Sequence, residues 1–369
     1  MHPEPALNQR FIGRSSGQTQ FWPFPATCGC CKKQWGTEIT MKVRAAFLGI
    51  FLLTAASQHV HACEGIAIKV AGVATCLKPG DTFKDCPDCP QLTVIPSGIF
   101  VMGAPPNIKI VSADAVPRHQ VEIAAPLAVG TFEITRGQYK AFVADSGFDD
   151  TKYWKNCTTL DIQGFGKAEG KTWKDTGFAQ GDDHPVVCVS WEAATKYAAW
   201  LSKKIGATYR LPSESEWEYA ARAGATGLFA FDPAKEIYCR HMNLADKAAN
   251  REPVIKANYR RYNALHHDCD DGYAFTAPVG TYKANAFGLH DMHGNVWEWV
   301  QDCYNGSYSG APNDGSARAG PSNCKRVTRG GGWFWHDAYQ ALPKRKMTQA
   351  TADDRGFRIA REIASSTWW

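Results

Sequence analysis

The sequence predicts an α+β domain built of short strands and few helices, with little regular secondary structure overall. Three observations carry that expectation. Short apolar runs broken by turn residues fill the region from Leu92 to Ile123, and three capped helical segments fall between Thr135 and Gly224. The remaining C-terminal length is rich in Gly, Asn, Asp and aromatic residues and shows no long helical period.

Taken in order, Leu92–Gly103 reads as two strands about the Pro96-Ser97-Gly98 turn, and Gln120–Ile123 as another strand. Thr135 with Gln138 makes a capping box, Tyr139, Phe142 and Val143 form the apolar face, and Gly147 ends the first helix. Ser190 caps a second helix, with Trp191, Ala194, Ala198 and Leu201 on one stripe before Gly206. Ser213 with Glu216 caps a third, with Trp217, Ala220 and Ala221 inward and Gly224 as its stop. So long an irregular stretch beyond Gly224 argues for metal ions and disulfides as its supports.

Length and composition allow one large domain or two, and 44% hydrophobic with 12% aromatic content is enough for a substantial core. Met41-Lys42-Val43-Arg44, the apolar run Ala45–Ala56 and the exit Val60-His61-Ala62 together read as a secretory signal, too short for a comfortable membrane span. The expected organisation is an N-terminal extension from an over-extended gene start (1–40), a signal peptide (41–62), a Cys-rich leader (63–91) and one domain (92–365). An acylated Cys63 is the lipoprotein alternative, which His61 and Val60 suit poorly. Residues 1–62 carry six Lys/Arg and two Asp/Glu, so the formal charge of +5 falls to +1 without them. That balance leaves no electrostatic footprint for nucleic acid. The expected product is a periplasmic or secreted monomer with no membrane span after signal cleavage.

Of the 13 Cys, Cys28, Cys30 and Cys31 precede Met41 and ten lie from Cys63 onward, an even number that suits an oxidising compartment. Cys303/Cys324 and Cys239/Cys269 each bracket a loop-like segment, and Cys157 can meet Cys188. Spacing alone does not fix these connectivities. Cys86-Pro87-Asp88-Cys89 has redox spacing, yet a structural role suits an exported, loop-like strip better.

The densest pattern is Leu289-His290-Asp291-Met292-His293-Gly294-Asn295-Val296-Trp297-Glu298-Trp299. Asp291, Gly294, Val296 and Glu298 alternate carboxylates with main-chain positions, an arrangement that can turn several hard oxygens onto one Ca²⁺. The plainer reading is an acidic turn that caps a strand, with the tryptophans in the core.

Several segments together resemble the formylglycine-generating enzyme (sulfatase-modifying factor) family. They are Ile95–Gly98 with Met102-Gly103, Phe132–Thr135, His184–Val187 with Val189–Trp191, and Arg210–Gly224. Ala286–Leu289 leading into Gly294–Trp299, Arg329–Trp333 and Gly356–Arg358 complete the set. The resemblance implies a C-type-lectin-like core with little regular secondary structure. Well-known members oxidise a sulfatase cysteine to formylglycine with O₂ and a copper ion held by two cysteines, and carry two structural Ca²⁺ sites. By resemblance, the first Ca²⁺ set is Asp291 and Glu298 side chains with Gly294 and Val296 carbonyls. The second is Asn243 and Asp271 side chains with Leu244 and Tyr273 carbonyls. Separately, Asn243 and Asp271 read equally well as turn or cap residues.

The copper positions do not carry over. Trp335 and Gln340 stand where the cysteine pair would be, and Gly332 stands where a serine is common. Cu(I) needs soft ligands, and neither an indole nor an amide supplies them. A candidate pocket therefore comprises Trp297, Trp333, Trp335, His336, Tyr339 and Gln340, with His336 as a base, a metal ligand or simply a packed residue. The tryptophans either line a slot for a flat or sugar-like ligand or fill an aromatic core. Three functions follow, in descending order of expectation. The first is an oxidoreductase-like or diverged member that acts on an exported protein, peptide or small molecule, for which periplasmic pyoverdine-maturation members are a precedent. The second is a non-catalytic, calcium-stabilised lectin-like binding module. The third is the oxidation of sulfatase cysteine itself. Whether the chain is an enzyme stays open, because function resides in the site and not the fold.

Overall fold

The computed structural model describes residues 63–105, 108, 114–149, 156–261 and 267–363. The expected extension (1–40) and expected signal peptide (41–62) lie outside them. Strands β1 (Ile66–Val70) and β2 (Val73–Leu77) form a hairpin, followed by β3 (Thr82–Phe83), β4 (Leu92–Ile95), β5 (Gly98–Met102), β6 (His119–Ile123) and β7 (Leu127–Gly130). Helix α1 (Arg136–Ser146), the hairpin β8 (Asn156–Asp161) and β9 (Gly164–Glu169), α2 (Trp191–Ile205), β10 (Tyr209–Arg210) and α3 (Glu214–Arg222) come next. Helices α4 (Lys247–Arg251) and α5 (Pro253–Arg261) precede a long irregular stretch. The chain then runs through β11 (Trp297–Cys303), β12 (Arg326–Arg329), α6 (Asp337–Gln340), β13 (Arg345–Thr348), β14 (Arg355–Gly356) and β15 (Ala360–Glu362).

The central sheet is antiparallel, in the order β10-β15-β7-β4-β3. Residues of β4 and β7 are buried on both faces, so neither strand shows a polar alternation. Their period of two instead divides them between two cores. Leu92, Val94 and Ala128 join Tyr139, Tyr197 and Phe357 on one side, whereas Ile95, Leu127 and Val129 join Trp217, Leu289 and Val300 on the other. A second sheet, β13-β12-β11-β14, carries the tryptophan-rich strand β11 and pairs it in parallel with β14.

The helix caps form as the sequence predicts. Thr135 and Ser213 each make a complete capping box, Ser190 accepts from the Ala193 N–H, and Gly147 and Gly206 end their helices in the left-handed conformation. The third helix differs by one residue. Ala223 takes the left-handed cap (φ 45°) ahead of Gly224, because its N–H must reach the Tyr219 carbonyl. Two strands about Pro96-Ser97 also form, but each finds a different partner: β4 joins the central sheet and β5 pairs with β6. The short helices α4 and α5 have no counterpart in the sequence reading; Asp246 caps α4, and Pro253 opens α5 where its missing N–H costs nothing.

The leader is part of the domain. β3 pairs with β4, and Ile68, Leu77, Phe83 and Cys89 are buried in the first core, so the ordered unit begins well before residue 92. Disulfides link Cys63–Cys76, Cys86–Cys89, Cys157–Cys188, Cys239–Cys269 and Cys303–Cys324. The three long-range pairings match the expected ones. In this state the sulfur of Cys63 is bonded to Cys76 and is not available for acylation.

Candidate functional site

The tryptophan strand meets the acidic loop at the junction of the two sheets. Each buried indole needs a partner for its N–H. Trp217 donates to Glu298 (2.8 Å), Trp299 to the Val189 carbonyl (3.0 Å) and Trp333 to the Asp353 carbonyl (3.1 Å). Trp297 is the exception: its Nε1 is buried with no partner.

Asp291, Gly294 and Asn295 all take positive φ on the loop that leads through Val296 to Glu298. Gly294 has no room for a side chain, since a Cβ would fall 2.0 Å from the Asn243 carbonyl oxygen. Glu298, however, is already saturated. Arg358 donates to both of its oxygens at 2.6 Å, and the Trp217 indole adds a third bond. Asp291 accepts from the Gly280 N–H through Oδ2, while its Oδ1 has no partner. Glu133, which the sequence reading missed, brings a third buried carboxylate to the same place; it accepts from Asn295 Nδ2 at 2.8 Å and leaves Oε1 unpartnered. Burial, then the charges of Asp291 and Glu298, push Glu133 well above the usual carboxylate range. Burial also pushes Asp291 up to about 6.

The second set adjoins the first. Asn243 and Gly294 form a β-bridge, and Asn243 Nδ2 donates to Asn295 Oδ1 (3.1 Å) and to the Phe275 carbonyl (2.8 Å). Its Oδ1 is buried and unpartnered. Asp271 accepts from the Tyr273 N–H and the Tyr282 hydroxyl, both at 2.8 Å. Asp246, also unforeseen, accepts from the Asp271 N–H at 2.7 Å. Burial, with the Asp246 charge behind it, pushes Asp271 up to about 7. Leu244 is fully buried beside them.

The two sets thus differ in their fit to a hard cation. The first already holds a guanidinium against its strongest donor. The second keeps an unpartnered amide oxygen on Asn243 and sets Asp246 against Asp271, like charges that an oxygen-ligated Ca²⁺ would offset. Among the described residues no three His, Cys, Asp or Glu side chains converge as a metal centre, so an ion here would depend on Asn243 and main-chain carbonyls.

The expected aromatic pocket resolves into a buried layer and a surface layer. Trp297, Trp333 and Gln340 are fully buried, and only Trp335, His336 and Tyr339 keep contact with solvent. Trp335 has its faces engaged: Phe165 stacks at 5.8 Å, Tyr339 lies at 4.7 Å, and its Nε1 donates to Asp354 (3.0 Å). Gln340 Nε2 donates to the Gly332 and Trp335 carbonyls, both at 2.9 Å. A Cβ on Gly332 would sit 3.3 Å from both Trp297 and Asp354, so a serine there would press on both neighbours. His336 caps α6 and shares Asp337 with His267, at 3.4 and 3.2 Å. Those two imidazoles hold Asp337 below the usual range. A cavity of about 250 Å³ lies elsewhere, against Asp291, His293, His241, Glu236 and Lys283.

An irregular α+β scaffold that packs an acidic loop against a tryptophan strand defines a class in which loops, not regular elements, build the site. The sulfatase-modifying factor enzyme 1-like domain matches residues 78–363, and the chain belongs to this formylglycine-generating enzyme family. It is 28% identical over 295 residues to the formylglycine-generating enzyme of Streptomyces coelicolor, across 73% of this chain and 88% of that one. The bovine formylglycine-generating enzyme is 27% identical over 306 residues, across 75% and 76% of the two chains. Among solved structures, PvdO from Pseudomonas aeruginosa superposes with a TM-score of 0.64 and 36% identity, across 78% of this chain and all of that one.

Proposed function

We propose that this chain is an exported family member that acts on an exported substrate by chemistry independent of a copper ion held between two thiolates. The observation that carries this reading is the state of Gln340. Its buried amide is tied to two carbonyls at one cysteine position, and the Trp335 indole is tied to Asp354 at the other. Every cysteine among the described residues is bonded in a disulfide, so no thiolate pair is left there to hold Cu(I). The same five disulfides support a periplasmic or secreted location. Among the described residues no helix is long and apolar enough to cross a membrane.

Structural Ca²⁺ at Asn243 and Asp271, with the Leu244 and Tyr273 carbonyls, is the cofactor this reading adds; Glu298 serves as the partner of Arg358. Phe165 and Tyr339 cover Trp335 and leave no open aromatic slot, which counts against the binding-module reading. The test is to incubate the purified exported chain with a sulfatase-derived cysteine peptide, Cu⁺ and O₂, and to search for formylglycine by mass spectrometry. No turnover is expected. Clear turnover would overturn the proposal.

A further inference from the structure

The Cys86-Pro87-Asp88-Cys89 segment does not lie in a loose leader strip. Phe83 of β3 pairs with Leu92 of β4, so residues 84–91 form the tip of a hairpin at the edge of the central sheet. Within that tip the Cys89 N–H donates to the Cys86 carbonyl at 3.1 Å, which closes a main-chain turn without help from the sulfurs. The two cysteines are bonded to each other. Cys89 is buried in the first core, Cys86 keeps partial contact with solvent, and Pro87 and Asp88 stand exposed between them.

A purely structural role fits this bond poorly. The other four disulfides close separations of 13, 21, 30 and 31 residues, whereas this one closes 3. The restraint a cross-link places on the unfolded chain grows with the logarithm of the loop it closes, so this one restrains least. It joins two residues that the turn hydrogen bond and the β3–β4 pairing already hold together. Reduction therefore leaves two thiols side by side on a folded scaffold, where the bond can form again. The unequal burial suits thiol exchange as well. An incoming thiolate reaches the accessible sulfur, and the buried one stays at hand to resolve the mixed disulfide.

We propose that Cys86–Cys89 is a redox-active disulfide that exchanges with a dithiol on an exported protein. A partner thiolate attacks Cys86 Sγ and forms a mixed disulfide, while the Cys86–Cys89 bond breaks and Cys89 leaves as a thiolate. The partner's second thiolate then attacks its own sulfur in the mixed disulfide, and Cys86 leaves in turn. Two electrons pass from the partner to the cysteine pair, whose thiolates take up the two protons the partner released. The partner is oxidised to a disulfide and the pair is reduced, with no other oxidant or reductant in the step. This exchange is independent of the chemistry at Trp335 and Gln340.

The test incubates the purified chain with a reduced peptide that contains two cysteines, quenches with acid, alkylates and maps every cysteine by mass spectrometry. Cys86 and Cys89 should become alkylated at least about tenfold faster than Cys303 and Cys324, while the peptide gains its disulfide. Cys89→Ser should trap the peptide on Cys86 as a stable mixed disulfide, and the double variant Cys86→Ser/Cys89→Ser should lose peptide oxidation with its circular dichroism unchanged. Reduction of Cys86–Cys89 no faster than Cys303–Cys324 in the wild-type chain would sink the idea. So would equal peptide oxidation by the double variant.

Discussion

Arg358 grips Glu298 through two charge-assisted hydrogen bonds of 2.6 Å, one to each carboxylate oxygen, at a site where neither residue reaches solvent. Glu133 and Asp291 share this enclosure, so one guanidinium serves three buried carboxyl groups. Removal of one partner from such a pair strands the other charge in a low dielectric. Glu298→Ala should therefore cost roughly 3–5 kcal/mol in urea unfolding, in calcium and in chelator alike. A loss below about 1 kcal/mol would show that the pair is not the main support of this junction.

The calcium proposal makes a different demand. At a free concentration 100 times its Kd, a bound ion adds about 2.7 kcal/mol of stability. Chelation should lower the melting temperature of the wild-type protein and leave Asp271→Asn unmoved. Identical wild-type melts with and without chelator would rule out a structural calcium ion.

Asp302 sets a pH dependence. It accepts from the Glu214 and Arg318 N–H groups at 2.7 Å each, yet burial and the neighbouring Glu214 charge push it up to about 7. The folded state thus binds the proton more tightly than the unfolded one. The resulting stability is complete below about pH 4 and is lost as the pH rises through 7, by at most about 4 kcal/mol. Asp302→Asn, which cannot ionise, should flatten that fall when unfolding is followed by urea from pH 4 to 8. Parallel wild-type and variant profiles would refute the assignment.

The Cys239–Cys269 bond closes a separation of 30 residues around α4 and α5 and so restrains the segment that carries Asp246 and Asp271. On the chain-entropy model, its replacement by two alanines should cost between about 3 and 4 kcal/mol. The same change should weaken calcium binding, measured by titration calorimetry. A variant with full calcium affinity would place the restraint elsewhere.

Features fixed by short-range chemistry were legible in advance. Thr135/Gln138, Ser190 and Ser213/Glu216 each satisfy donors within one helical turn, so their sequence spacing is their geometry. Cys303/Cys324 and Cys239/Cys269 could be proposed because each pair brackets a loop-like segment, and the family could be recognised because its loop segments recur in order.

The partners of Glu298, Asn243 and Lys346 were not legible. Arg358 lies 60 residues from Glu298, and Lys346 on β13 meets Trp297 on β11 across the intervening β12 of the same sheet. Burial decides each case, and burial belongs to the packed molecule. It alone converted Trp297 and Trp333 from candidate pocket walls into core, gave Glu298 a guanidinium in place of a free carboxylate, and set the Lys346 amine against the Trp297 and Trp335 rings. Sequence by itself determined the caps, the scaffold class and the absence of cysteines at 335 and 340. Only the tertiary structure decided which polar groups were stripped of water and left to find one another, because desolvation depends on neighbours that the linear chain does not place side by side.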